Sequence, residues 1–163
     1  LEVPYNLSNY VCVRSAQDMY EEVQKYWKTS DVIIKAAAVA DYTPREKYDN
    51  KMKKHEGDLS IPLKRTIDIL KSMGEEKTSQ ILVGFAAETQ NVEEYAKNKI
   101  IKKNLDMIVA NDVSMAGAGF GTDTNIVQIF FKDFSSVKID KLSKEELART
   151  ILRLIKEKIM DKR

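Results

Sequence analysis

Val32-Ile33-Ile34-Lys35-Ala36-Ala37-Ala38-Val39-Ala40-Asp41-Tyr42-Thr43-Pro44 is the stretch on which the reading of this chain turns. An apolar run empties into small residues, which leave room for a ligand to approach the backbone, and a single carboxylate follows. Apolar character this continuous reads as a buried strand from Asp31 to Ala38 rather than a half-exposed one. Asp41 then falls where open α/β sheets bind ligands, outside the carboxyl ends of the strands. Further on, Lys51-Met52-Lys53-Lys54 sets three lysines within four positions, a charge set suited to a phosphate. The segment sketches a nucleotide site.

Two more runs of the same kind lie downstream. Ile81 to Ala87 ends in small residues and then Glu88-Thr89, and Met107 to Ala110 is closed by Asn111-Asp112. Helical patterns alternate with them. Ser15 to Asp18 resembles a capping box that opens an amphipathic helix to about Lys28 carrying Met19, Val23, Tyr26 and Trp27. Thr66 reads as the cap of a helix through Ile67, Asp68, Ile69, Leu70 and Met73, ending near Gly74. Asn91 reads as the cap of a helix from Val92 to Asn104. Ser143 and Glu146 form a second capping box, opening a terminal helix to about Met160 with Leu147, Ile151, Leu154, Ile155 and Ile159 as its core stripe.

Between these, Tyr42 to Gly57 is polar and aperiodic, a long loop of the kind that often serves as a lid. Ser60 to Lys64 is a short strand by its alternation. The glycine-rich segment Ala116 to Gly121 precedes two strands, Ile126 to Phe131 and Val137 to Ile139, joined by a turn near Asp133. Alternating strands and helices predict an α/β fold, three-layer and Rossmann-like or ribokinase-like, with a mostly parallel sheet and an antiparallel edge hairpin.

Composition sets the bounds. A chain of 163 residues reads as one domain, residues 1–163, long enough to bury a core. With 43% hydrophobic and 32% charged residues it is an ordinary globular protein, and a net charge of +2 gives no electrostatic case for nucleic acid or a membrane surface. No apolar run reaches the roughly 18 residues that a membrane span requires, and Leu1 to Asn9 carry no secretory pattern. The single cysteine, Cys12, has no intramolecular disulfide partner, so a cytoplasmic location is expected. No G-x-G-x-x-G or P-loop pattern occurs, which argues against a Rossmann-type oxidoreductase.

Three strand ends carry acids: Ala40-Asp41, Ala87-Glu88 and Asn111-Asp112. In a parallel sheet they share one edge and line one crevice, unless each merely caps a helix or turn. Lys99 and Lys103 are four apart and share a helix face. They are either part of a solvated lysine-rich surface or a pair of cations aimed at a triphosphate. Phe85 is either a core aromatic or a ring placed to border a base. One histidine, His55, and one cysteine make no metal set. Acids, amides and lysines remain, the kit for phosphate chemistry by positioning and charge neutralisation.

Taken in order, Ala36 to Pro44, Lys51 to Lys54, Val83-Gly84-Phe85-Ala86-Ala87-Glu88-Thr89, and Lys103-Asn104-Leu105-Asp106 leading into Val109 to Asp112 resemble the bacterial phosphopantothenoylcysteine synthetases. These form the second half of the bifunctional coenzyme A biosynthesis flavoprotein, and the likeness spans nearly the whole chain. The resemblance implies a ligase that activates 4'-phosphopantothenate with CTP as an acyl-cytidylate and couples it to cysteine, releasing pyrophosphate and CMP. It implies that Asp41 contacts the nucleotide and that Lys51, on the lid, is catalytic and meets the phosphates or the intermediate. Ile67, Asp68, Ile69 and Leu70 correspond to a nucleotide-contacting turn, with Ile67 standing where the family usually has proline. Phe85 would border the cytosine, Lys99 and Lys103 would lie on the triphosphate, and Ala37 and Ala38 against the phosphopantothenate.

The resemblance further implies Mg²⁺ as a helper of the leaving pyrophosphate, a homodimer with the Ile126 to Ile139 hairpin and the Gly117 to Gly121 loop in its contact, and no FMN in this chain. Its Gly-Phe-Ala-Ala-Glu-Thr and lysine-lid patterns favour CTP over the ATP used by the eukaryotic branch. The family's glycine-rich N-terminal segment, with an asparagine important to acyl-cytidylate formation, has no counterpart among these residues. A molecule beginning at Leu1 is therefore expected to be a crippled synthetase that retains some nucleotide binding. The competing expectation is a non-catalytic nucleotide-binding or regulatory module of the same fold.

Overall fold

A computed structural model describes residues 7–48, 50–53, 56–88, 90–112 and 124–161. It resolves into two compact units, Leu1–Tyr26 with Ala38–Ile69, and Trp27–Ala37 with Leu70–Arg163.

The larger unit is built on a five-stranded sheet. In chain order its strands are β1 (Val32–Lys35), β4 (Ile81–Glu88), β5 (Met107–Asp112), β6 (Thr124–Phe131) and β7 (Ser136–Ser143), and they stand side by side in that same order. β1, β4 and β5 run parallel, while β6 and β7 are antiparallel additions on the far side. The expected α/β fold with an edge hairpin is therefore present, as a mixed sheet.

Alternation along the strands loads both faces. Val83, Val109 and Ile129 line one face, which is covered by Leu147, Ile151, Leu154 and Ile155 of α4 (Lys144–Ile155). Leu82, Ile108 and Phe130, all but completely buried, line the other. That second side holds α2 (Ile69–Glu76) and α3 (Val92–Lys103), and close approach there depends on glycine. A Cβ on Gly84 would meet Leu70 Cδ2 at 2.9 Å and Leu105 Cδ1 at 3.1 Å. One on Gly74 would lie 2.0 Å from the Lys103 carbonyl oxygen. Gly74 is thus the contact point between α2 and the end of α3, not the helix terminator that its residue type suggested.

Local signals formed as read wherever they close on themselves. Ser143 caps α4: its hydroxyl accepts from the Glu146 amide at 3.2 Å, and the Glu146 carboxylate accepts from the Ser143 amide at 3.1 Å. The hydroxyl of Ser143, with its amide second, holds the Glu146 carboxyl below its ordinary range. α4 gives way to a short π-helical turn, Lys156–Met160.

In the smaller unit, α1 (Ala16–Tyr26) opens on the same device, with the Ser15 hydroxyl accepting from the Asp18 amide and the Asp18 carboxylate accepting from the Ser15 and Arg14 amides, each at 3.1 Å. The Ser15 hydroxyl is the main reason that the Asp18 carboxyl sits below its usual range. Two short strands, β2 (Tyr42–Pro44) and β3 (Leu63–Arg65), pair antiparallel.

Several expectations are corrected. The strand read over Asp31 to Ala38 is only Val32–Lys35 and is half-exposed, because it lies at the edge of the described sheet, paired only with β4. The loop read from Tyr42 begins instead with β2, and the strand read at Ser60 to Lys64 is shifted to Leu63–Arg65, since β2 supplies the ladder. Asn91 precedes α3 in the left-handed region (φ 48°) and makes no side-chain cap. The glycine-rich segment Ala116 to Gly121 lies outside the described residues, as do Lys54, His55 and Thr89.

Candidate functional site

In the larger unit the carboxyl end of β4 carries the residues of interest. Register sets Phe85 against Val109, Ala87 against Asn111, and Glu88 against Asp112. The strand is sealed at its start, yet Phe85 is 37% exposed, so this ring is not core packing despite sitting in the most apolar run of the chain. Ala87 beside it is exposed as well, and small. Asn111 donates from Nδ2 to Asn125 Oδ1 at 3.5 Å, while its own Oδ1 is buried without a hydrogen-bond partner.

The acid at the end of β4 is engaged. Glu88 Oε1 accepts from Lys99 Nζ at 2.5 Å, with side-chain exposures of 16% and 40%. Lys99 was read as one of two cations on a common face, and the structure places it against the strand end rather than on an outer lysine-rich surface. Lys97, read as pointing elsewhere, pairs with Glu93 at 2.6 Å. Lys103 is half-buried in the last turn of α3, with its backbone carbonyl against Gly74. Ala37 is exposed beyond β1, and its carbonyl accepts from Lys35 Nζ at 3.2 Å.

At the opposite end of β4 lies a pair that sequence reasoning missed. Lys77 Nζ donates to Asp106 Oδ2 at 2.8 Å and to the Asn104 carbonyl at 2.6 Å, and the Asp106 carboxylate also accepts from the Leu82 amide at 2.8 Å. Asn104 Nδ2 donates to the Gly74 carbonyl at 3.0 Å. The Lys103-Asn104-Leu105-Asp106 segment is thereby committed to joining α2, α3, β4 and β5. The signal available in sequence was Asp106 just before the apolar run Met107 to Ala110, where a charge needs a partner.

The smaller unit gathers a different part of the expected set. Asp41 is not at the end of β1: that strand stops at Lys35, and Asp41 directly precedes β2. Thr66 ties it to the next predicted segment, its amide donating to the Asp41 carbonyl at 2.9 Å and its hydroxyl to the Ala40 carbonyl at 2.5 Å. α2 begins only at Ile69, three residues beyond Thr66, so Thr66 does not stand at its cap position. The bond brings Asp41 beside the turn that begins at Ile67. Ile67 and Asp68 are exposed, whereas Ile69 and Leu70 are 2% and 5% exposed and form the buried first turn of α2. Ala38, Lys51, Met52 and Lys53 are exposed.

A surface depression of about 480 Å³ is lined by Asn91, Val92, Glu93, Glu94 and Lys97, and none of the expected site residues borders it. Among the described residues no three His, Cys, Asp or Glu side chains gather to hold a metal, and no helix is long and apolar enough to cross a membrane.

Fold and site together define an α/β domain whose parallel strand ends present an exposed aromatic and a lysine held by a carboxylate. The chain belongs to the family described as DNA/pantothenate metabolism flavoprotein C-terminal domain, which it matches over residues 1–159. It is 54% identical over 155 residues to the coenzyme A biosynthesis bifunctional protein CoaBC of Bacillus subtilis, covering 95% of this chain and 38% of that protein. It is 42% identical over 148 residues to a prokaryotic protein named cysteine/cysteine sulfinic acid decarboxylase, covering 90% of this chain and 41% of that one. Among solved structures, the C-terminal domain of a CoaBC protein superposes with a TM-score of 0.74 at 48% identity, covering 93% of this chain and 68% of that one. The chain spans about two fifths of the length of these two curated relatives.

Proposed function

We propose that this chain carries the synthetase half of coenzyme A biosynthesis: a phosphopantothenate–cysteine ligase that uses CTP. The carboxylate of 4'-phosphopantothenate attacks the α-phosphorus of CTP, giving an acyl-cytidylate and pyrophosphate. The cysteine amine then attacks the acyl carbon, forming the amide, and CMP leaves. The observation that carries this reading is the 54% identity with the CoaBC protein of Bacillus subtilis over 95% of the chain.

The residues divide by chemistry. Phe85, a ring exposed beside small residues, stacks on the cytosine. Asp41 and the turn Ile67, Asp68, Ile69 and Leu70 hold the nucleoside. Lys99 and Lys103 neutralise the triphosphate, and Lys51 follows the charge that develops on the departing pyrophosphate, the catalytic role. Ala37 and Ala38 leave room for the phosphopantothenate. Mg²⁺ would arrive on the triphosphate, as such ions commonly do, and help the pyrophosphate leave. A cytoplasmic homodimer with the β6–β7 hairpin in its contact completes the proposal, and light scattering would test the dimer.

The test is pyrophosphate and CMP release from CTP, Mg²⁺, 4'-phosphopantothenate and cysteine. Release that depends on all four supports the ligase. CTP binding without release supports the non-catalytic module instead, and neither binding nor release removes both. Within an active protein, Lys51→Gln should lower turnover by about a hundredfold, the scale of losing one preorganised charge contact, with an unchanged melting temperature. Unaltered turnover would take Lys51 out of the mechanism.

A further inference from the structure

Glu88 is the final residue of β4, and its carboxylate accepts from the Lys99 ammonium at 2.5 Å. The two partners are not equally open: the Glu88 side chain is 16% exposed and that of Lys99 is 40%. The anchor is enclosed, and the cation keeps an open side. An ammonium carries three donors. One goes to Glu88, and Lys99 has no other partner among the described residues, so two remain for an anion on the exposed side.

We propose that Glu88 is the positioning residue for Lys99, holding its ammonium at the carboxyl end of the sheet for the phosphate chain of the nucleotide. The inference rests on the CTP reading above. A lysine alone is a point charge on a flexible four-carbon stem, and each bond to a phosphate must overcome that freedom. A carboxylate that fixes the stem beforehand reduces the cost, as the lysine–glutamate pair of protein kinases does for its own phosphate contact. The opposing effect is repulsion between Glu88 and the phosphates. Positioning outweighs it because the ammonium is the exposed member and the carboxylate the enclosed one.

The experiment compares wild type, Glu88→Ala, Glu88→Gln, Lys99→Ala and the Glu88→Ala/Lys99→Ala double variant. Calorimetry gives affinity for CTP and for cytidine, and pyrophosphate release gives KM and kcat. Glu88→Ala should weaken CTP about tenfold to a hundredfold, the scale of a mispositioned group, and raise KM more than it lowers kcat. Cytidine, which has no phosphates, should bind as to wild type and so reports an intact fold. Glu88→Gln keeps an oxygen acceptor and should recover part of the loss. In the Lys99→Ala background Glu88→Ala should add nothing, because its effect passes through that lysine.

Wild-type CTP affinity in Glu88→Ala, an equal loss for cytidine, or additive losses in the double variant would each overturn the inference. If wild type binds CTP and Glu88→Ala binds it as well, only the positioning role fails. If wild type binds no CTP, the functional reading fails and this inference with it.

Discussion

Two lysine–carboxylate pairs stand at opposite ends of one strand. Before β4, Lys77 and Asp106 have side-chain exposures of 5% and 8%, and the pair is wrapped by the Asn104 carbonyl and the Leu82 amide. After β4, Lys99 and Glu88 are joined at 2.5 Å, against 2.8 Å for the first pair, but the lysine is 40% exposed. The same two chemical groups serve opposite ends. Enclosed and fully bonded, the first pair is scaffold, fastening α2 and α3 to the strands. Open on one side, the second leaves a cation available to a ligand.

The sharpest way to break this comparison is to remove one partner from the closed end. Asp106→Ala leaves the Lys77 charge buried and the Leu82 amide unpaired, and should cost about 3–5 kcal/mol, read as a large drop in a denaturant midpoint. A loss below about 1 kcal/mol, the level of surface pairs, would mean that the two ends do not differ as burial says.

At the open end, Phe85→Ala offers the next largest effect. A fully buried ring would cost about 3–5 kcal/mol, but at 37% exposure the area lost corresponds to about 1–2 kcal/mol. A melt reads this term, and titration with CTP should show weakened binding beyond it. A full core-sized loss would place the ring in the scaffold.

Away from both ends, Ser143→Ala should cost about 1 kcal/mol through loss of the helix cap. It should also flatten the acid limb of the stability curve. In the folded chain the Glu146 carboxyl is held below its ordinary value, chiefly by the Ser143 hydroxyl. Its contribution is therefore complete above the unfolded carboxyl range and disappears as pH falls through the lower folded value. Denaturant titrations at descending pH should show a smaller decline in the variant than in wild type. The smallest change is expected of Glu88→Ala on folding, below about 1 kcal/mol, since the lysine it leaves behind is open to solvent. That contrast with Asp106→Ala, in one protein and one assay, is the direct measure of what burial does to an ion pair.

Much of the architecture is legible in the chain, and for a consistent reason. Ser15 with Asp18 and Ser143 with Glu146 close their bonds over three residues, so no distant part of the fold can overrule them. The runs Ile81 to Ala87 and Met107 to Ala110 are apolar on both faces, which only a strand covered on both sides satisfies. Where reading failed, a partner far along the chain had intervened. Thr66 has the chemistry of a cap, but α2 begins only at Ile69, and Thr66 instead donates to the carbonyl of Ala40, a residue 26 positions away. Gly74 has the chemistry of a helix end and instead admits the Lys103 carbonyl. The candidate site divides the same way: the exposed lysines of the loop were readable, while the roles within Ile67 to Leu70 were not, since burial splits that turn into two outward residues and two core ones.

By itself, then, the sequence determined the long apolar strands and the helices of the larger unit, where two helices begin, and which residue types are on hand for phosphate chemistry, because periodicity and short-range capping are written locally. Only the tertiary structure decided that Phe85 is open while its neighbours are sealed, that Lys77 is buried and Lys99 is not, and that β1 is an edge. Exposure and choice of partner depend on what the rest of the chain brings alongside, and no window of neighbouring residues contains that information.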